Sequence, residues 1–435
     1  LESLAQRRVA PSPDAIAALA RLDEPMPPAP TDPAEVIALL DDLGSPATVA
    51  SAGPRYFGFV TGGSVPATVA AGWLAGAWDQ NAGLRVMSPI GAKLEDVARR
   101  WLLELLGLPA ACGIAFSTGA TMANFAALAA ARRSVLKAVG WDVESDGLFG
   151  APPIAVIVGE EVHASLVKAL GMLGLGRGRV SRVAVDGAGR LRPERLPKLS
   201  GPTIVCTQVG NVNTGACDAV GEISDIAHEA DAWVHVDGAF GLWAAAVPNR
   251  KHLVAGVERA DSWATDAHKW LNVPYDSGLA FVRDAQTLHG AMSIGAAYLA
   301  TGSDREPYHY TPEMSRRARG IEIWAALKSL GRAGIANLVE RNCRLAARFA
   351  DGLRGAGHQV LNDVVLNQVL VAFGDEAATR RVVDAVQADG TCWCGGTVWQ
   401  GRFAMRISVS SWATTEADVD RSLSAMLRIA GQARA

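Results

Sequence analysis

Between residues 154 and 282, short apolar runs alternate with stretches whose apolar positions recur at helical spacing. The runs at 154–158, 180–185, 203–207, 233–237, 262–265 and 279–282 read as buried strands, and 164–170 and 222–229 read as helices. Buried runs alternating with amphipathic helices predict an α/β domain with a mostly parallel sheet covered on both faces. Upstream, 66–78 and 91–106 carry the helical period, with Leu94, Val97, Trp101, Leu102 and Leu105 in one stripe. After about residue 314 the pattern changes. A long helix over 321–353, a strand at 368–373, a helix at 377–387, a strand pair around 398 and 405–409, and a final helix predict an α+β layer of its own. Three segments follow: an N-terminal helical arm over 1–50, a large domain over 51–313 and a small domain over 314–435.

Composition narrows the class. With 49% apolar and 20% charged residues, the chain suits a globular protein with a large core. A net charge of −3 without a basic run argues against a nucleic-acid partner or an anionic membrane surface. Residues 56–78 carry no charge and are long enough to cross a bilayer, but Pro66, several glycines, Thr61, Ser64 and Thr68 predict buried core instead. Six cysteines in 435 residues form no disulfide framework. Cys392 and Cys394 are the one close pair, and no second Cys/His pair at zinc-like spacing accompanies them. They are expected to be buried together on one strand face, with no metal. No secretory pattern opens the chain, so a reducing cytoplasmic setting is expected.

Two residues carry the chemistry. Asp237 ends a strand, where ligands of parallel sheets bind. Taken alone, it reads as well as an acid capping the turn before Gly238. Lys269, about thirty residues on and beyond the next strand, changes that. An amine and a carboxylate at neighbouring strand ends are what a protein needs to hold pyridoxal 5'-phosphate (PLP), the lysine as a Schiff base and the acid at the pyridine nitrogen. His163 lies just past the first of these strands, where it could stack on a cofactor ring or simply open a helix towards solvent. Ser117-Thr118-Gly119-Ala120-Thr121 leads into a helical run, and its exposed backbone N–H groups suit a phosphate. The glycines at 174, 176 and 178 lack dinucleotide-binding spacing and read as a turn.

The joint pattern His235-Val236-Asp237-Gly238-Ala239 and Asp261-Ser262-(x)5-His268-Lys269-Trp270 resembles the group II PLP-dependent amino-acid decarboxylases, which include aromatic-amino-acid and glutamate decarboxylases. The resemblance runs from about Pro54 to the C-terminus and is strongest over 115–290. It implies a fold-type I (aspartate-aminotransferase-like) architecture with a seven-stranded sheet, and a homodimer with active sites near the subunit interface. It further implies Lys269 as the Schiff-base lysine, Asp237 as the pyridinium partner, Ala239 beneath the ring and His163 stacked on it. Gly119, Ala120 and Thr121 correspond to the phosphate turn, with His268 as a further phosphate contact. Tyr298 falls where the family keeps a mobile-loop tyrosine that returns a proton after CO2 departs, and 298–313 reads as that loop. Thr61 and Asn81 correspond to substrate contacts.

Two departures stand out. Asp266 replaces the family's frequent asparagine, and a carboxylate beside a phosphate must turn away or pair with a cation. Gly58, Asn81 and Gly83 stand where aromatic-specific relatives keep bulky side chains, so a roomier or more polar pocket is expected. The implied reaction converts an L-amino acid to its amine and CO2. A carbon–carbon lyase or aldolase, or an aminotransferase, would use nearly the same residues.

Overall fold

The computed structural model describes residues 4–294 and 305–432. Seven strands form the main sheet: β1 (Gly113–Ser117), β2 (Ala155–Gly159), β3 (Ser181–Val183), β4 (Thr203–Gln208), β5 (Trp233–Asp237), β6 (Ser262–Asp266) and β7 (Gly278–Val282). Their order is β1-β7-β6-β5-β4-β2-β3. β7 runs antiparallel to both neighbours, and every other adjacent pair is parallel. β4, β5 and β6 are almost wholly buried on both faces, and besides apolar residues they carry the buried polar side chains Thr203, Thr207, His235, Ser262 and Thr265. This is the expected mostly parallel seven-stranded sheet, and its order places the carboxyl ends of β4, β5 and β6 side by side.

The helix Ala120–Lys137 crosses one face of the sheet. Its inward side is nearly all alanine (Ala123, Ala126, Ala127, Ala130), and side chains this small let its backbone approach β5, β6 and β7 closely. The opposite face is covered by a second cluster built on Leu102, Phe116, Val234, Trp243, Trp263 and Phe281. β1 was not anticipated from the sequence. Its Gly-Ile-Ala-Phe-Ser run has weak strand propensity and leads straight into a helix, but pairing with β7 and complete burial override that.

The helix Gly320–Gly355 is interrupted at Gly331, whose φ of 60° only glycine adopts without strain. Beyond it β8 (Gln359–Val360), β9 (Gln368–Ala372), β10 (Gly395–Trp399) and β11 (Arg402–Ser408) form an antiparallel sheet in the order β10-β11-β9-β8. The helices Glu376–Asp389 and Glu416–Gln432 cover it. Phe57 joins this second core, and its N–H donates to Trp393 O at 2.8 Å.

One expectation needs correction. The uncharged segment 56–78 is buried core only in its first half: 56–65 is buried apart from Phe59 and Ser64, whereas in the helix Pro66–Trp78 only Thr68 and Ala75 are buried and Trp73 is 68% exposed. One side of this helix packs against Ile321 and Ala318, and the other carries Trp73, Leu74 and Trp78 into solvent. Among the described residues no helix is long and apolar enough to cross a membrane. Cys392 and Cys394 are buried, as expected, but in the stretch before β10 rather than within a strand. Their thiols are free, and no metal-capable group of His, Cys, Asp or Glu occurs among the described residues.

Candidate active site

Asp237 is the last residue of β5, in register with Gln208 of β4 and Ala264 of β6. It is buried, and its Oδ1 accepts the Ala239 N–H at 3.2 Å. Asn124 Nδ2 approaches Oδ2 at 3.4 Å, while Asn124 Oδ1 is 2.8 Å from His235 Nε2. Burial raises the Asp237 carboxyl above the usual range, against the opposing pull of His163 and Lys269.

Lys269 lies in the turn after β6. That turn is fixed by groups far along the chain. The buried Trp270 indole donates to Asn342 Oδ1 at 3.0 Å. Asn272 Nδ2 donates to the carbonyls of Lys269, Trp270 and Ser410. Gly62 lies so close that a Cβ there would fall 1.6 Å from the Lys269 carbonyl oxygen, which seats the buried Thr61 beside the lysine turn. Lys269 Nζ is 2.9 Å from Asp266 Oδ2. Asp266 therefore pairs with a cation and does not turn away.

His163 caps the helix Ala164–Met172. Its Nδ1 accepts the Ser165 N–H at 3.2 Å and sits 2.7 Å from Ser165 Oγ, leaving Nε2 to carry the proton of the neutral ring. Burial lowers its pKa, opposed by the charge of Asp237, so the ring stays neutral. Arg406 on β11 also acts on His163. This guanidinium is half-buried, which lowers its own pKa, and its one side-chain hydrogen bond among the described residues goes to Asn213 Oδ1 at 3.5 Å. No carboxylate pairs with it among the described residues.

Gly119 precedes the helix Ala120–Lys137 and offers no side-chain cap. The turn is tight: a Cβ on Gly119 would meet His268 Cε1 at 3.0 Å, and one on Gly278 would lie 2.4 Å from Gly119 Cα. The Ala120 N–H donates to Asp266 Oδ1 at 2.6 Å. His268 Nδ1 accepts the Ser277 N–H, its Nε2 lies 3.4 Å from Asp266 Oδ1, and burial lowers its pKa. Ala239 bridges the two acids through its backbone: its N–H donates to Asp237 Oδ1 at 3.2 Å and its carbonyl accepts the Asp266 N–H at 2.9 Å.

Asp237, Ala239, His163, Lys269, His268, Gly119, Ala120 and Thr121 thus gather at the carboxyl ends of β1, β5 and β6, with Thr61 alongside. Asn81 stands apart. Its amide bridges to Gly83 N, Arg316 N and Ser315 Oγ, joining its own loop to 315–316. Tyr298 lies outside the described residues. Asn124, Arg406 and Trp393 were missed. For Asn124 a signal existed, the one polar amide on an alanine face one turn after Ala120; Arg406 and Trp393 come from another layer, and nothing local marks them.

The roomier pocket expected from Gly58 is not found. A Cβ on Gly58 would fall 2.2 Å from Trp393 Cζ3, because that indole fills the space. Trp393 stacks on Tyr56 at 5.1 Å and on Phe59 at 5.5 Å. Tyr56 is close enough to Tyr275 to feel its charge, and burial with that neighbour lifts the Tyr56 phenol to about 12. Tyr275 in turn stacks on His268 at 4.2 Å. Two ring stacks therefore stand near the site, His268 with Tyr275 beside Lys269, and Tyr56 with Trp393 and the exposed Phe59.

Comparison with known proteins gives a consistent picture. Residues 19–374 match the pyridoxal-dependent decarboxylase conserved domain. Tryptophan decarboxylase 1 of Oryza sativa subsp. japonica is 29% identical over 401 residues, spanning 83% of this chain and 77% of that protein. An acidic amino acid decarboxylase of Homo sapiens is 29% identical over 317 residues, 69% of this chain and 60% of that protein. The crystal structure of Oryza sativa TDC with PLP and tryptamine superposes with a TM-score of 0.91 at 24% identity, covering 99% of this chain and 94% of that one. Mouse CSAD in apo form gives 0.90 at 20% identity, covering 98% and 94%. At these identities the structural matches show the shared fold.

Proposed function

The chain belongs to the pyridoxal-dependent decarboxylase family and is a PLP-dependent amino-acid decarboxylase, a carboxy-lyase; from that premise we propose that Lys269, Asp237 and His163 form its catalytic centre and that its substrate is an aromatic L-amino acid. The reading of the centre is carried by one observation: an amine and a buried carboxylate with a raised pKa face the same space at the ends of β5 and β6. Other features support the fit of the cofactor. A pyridinium N–H would give Asp237 the positive partner it lacks. Gly119 gives the helix Ala120–Lys137 no side-chain cap of its own, and glycines at 119 and 278 let backbone approach closely where a phosphate would seat. The Ala239 methyl is small enough to lie under a flat ring.

When bound, PLP supplies an aldehyde for amine condensation and a protonated ring that withdraws electrons. Lys269 offers the amine for attachment and, once free, can carry a proton to the substrate Cα. Asp237 holds the proton on the ring nitrogen. His163, neutral and fixed by Ser165, would flank the ring. Arg406 would receive the substrate carboxylate and set its angle to the ring plane, which decides which bond breaks. Tyr298 is assigned on the resemblance alone, as a second proton source.

The substrate class is carried by the two ring stacks, His268–Tyr275 and Tyr56–Trp393–Phe59, whose aromatic faces suit an aromatic side chain. A panel of L-amino acids assayed for CO2 and amine should show tryptophan, tyrosine or phenylalanine ahead of glutamate and aspartate. Preference for an acidic substrate would move the specificity to Arg406. A keto acid or an aldehyde fragment as product would favour transamination or carbon–carbon cleavage.

We read the chain as an arm (1–50), a large domain (51–313) and a small domain (314–435), working as a homodimer. Support for the dimer comes from the uncovered Trp73, Leu74, Trp78 and Val86, an apolar face suited to a second copy. On that arrangement Asn81, which adjoins this face, would reach the partner's substrate. The free cysteines support a reducing, cytoplasmic setting.

A further inference from the structure

A buried carboxylate must be matched by donors or cations, and those gathered by Asp266 are the ones a phosphorylated aldehyde would need. Asp266 is 2% exposed at the end of β6. Its Oδ1 takes the Ala120 N–H at 2.6 Å and lies 3.4 Å from His268 Nε2, and its Oδ2 is 2.9 Å from Lys269 Nζ. The helix Ala120–Lys137 receives no cap from its own Gly119, so its first donor is satisfied from across the sheet. There is little slack, since a Cβ on Gly119 would already meet Asp266 Oδ1 at 3.4 Å.

A phosphate seated at this helix start would share its N–H groups with that carboxylate. Two unit charges about 5 Å apart at an effective dielectric of about 20 repel by well over tenfold in affinity. We propose that Asp266 is a resident anion that holds the phosphate cradle and Lys269 together in the cofactor-free protein and competes with the cofactor's phosphate for them. Cofactor binding is then weaker, and more readily reversed, than an uncharged residue at 266 would make it. This rests on the assignment of PLP to the site.

The test uses cofactor-free protein titrated by visible absorbance with PLP and with pyridoxal, which lacks the phosphate. Asp266→Asn keeps an acceptor for the Ala120 N–H and removes the charge, and Asp266→Ser is a second neutral variant should the first fold poorly. The neutral variants are expected to bind PLP at least tenfold more tightly than the wild type, with a smaller gain for pyridoxal. Cofactor-free Asp266→Asn should also melt below cofactor-free wild type, because Lys269 loses its counter-ion. An unchanged or weaker PLP Kd overturns the proposal. So does an equal gain for pyridoxal, which would put the whole effect at Lys269. Wild-type protein that takes up no PLP overturns the cofactor assignment as well, whereas normal uptake with indifferent variants overturns the role of Asp266 alone.

Discussion

Gly58→Ala and Trp393→Ala together probe whether the aromatic wall is built as described. A methyl at 58 would sit 2.2 Å from Trp393 Cζ3, 2.5 Å from Cε3 and 3.0 Å from Tyr56 Cζ. Ordinary carbon contacts need about 3.5–4 Å, so the indole must shift by more than an ångström and leave its stacks. Overpacking of this kind costs about 1–3 kcal/mol. Trp393→Ala gives up two ring pairs, each contributing about 0.5–1.5 kcal/mol beyond area burial, for a total of about 3–5 kcal/mol with the lost packing. In the double variant the added methyl enters vacated space, so its cost should nearly vanish. The pair should therefore be about 1–3 kcal/mol less destabilising than the sum of the single changes. Denaturant unfolding of the four holoenzymes measures this. The same proteins test the substrate site: Trp393→Ala should raise KM for the preferred aromatic amino acid about tenfold, near the 1.4 kcal/mol of one such contact, with little change in kcat. Strict additivity would refute the shared space, and an unmoved KM would remove the wall from the substrate site.

Lys269→Ala should abolish amine formation, and borohydride should no longer fix the cofactor to the chain; mass spectrometry of the reduced protein reads this, and label at another lysine would contradict the assignment. Buried His235, held at 2.8 Å by both Ser262 Oγ and Asn124 Oδ1, has its pKa lowered to about 3 by burial. The unfolded chain takes up that proton first, near pH 6.5. The stability from keeping the ring neutral is complete above that pH and is lost on acidification at about 1.4 kcal/mol per unit down to about pH 3. The stability gap between wild type and His235→Gln should accordingly narrow by ~2 kcal/mol from pH 6.5 to 5, and parallel curves would show that His235 is not held neutral. Tyr298→Phe should lower the yield of amine per CO2 released, with aldehyde making up the difference; unchanged yield would take Tyr298 out of the proton path.

What could be read in the sequence divides along physical lines. β4, β5 and β6 announce themselves because short apolar-rich runs between amphipathic helices suit strands buried on both faces, and Trp233–Asp237 emerges at its observed bounds. The Asp237 and Lys269 pair is legible for a related reason: ionisable groups stand out at the ends of such runs. β1 is hidden because its strand character comes from pairing with β7 and not from its own residues. Arg406 and Trp393 are hidden because they reach the site from the second sheet. Gly58 shows the limit most clearly. A missing side chain suggests room, but only the folded chain reveals that a tryptophan more than three hundred residues later occupies it.

The charges of the site point to how one bound substrate is distinguished from its own product. Asp237 is a carboxyl pushed towards its protonated form by burial, and Arg406 is a half-buried guanidinium without a carboxylate partner among the described residues. Each is costly alone and relieved by what a ligand brings, a ring proton in one case and a carboxylate in the other. The first relief is permanent while the cofactor stays. The second ends when the carboxylate leaves as CO2, which returns Arg406 to its unpaired state and removes the handle by which the substrate was held. On the proposed assignment, the contact of Arg406 with the carboxylate would be a ground-state contact that vanishes in the reaction. Its contribution lies in orientation and in weakening the hold on the amine product, and transition-state stabilisation falls to Asp237 and the groups that keep the ring protonated.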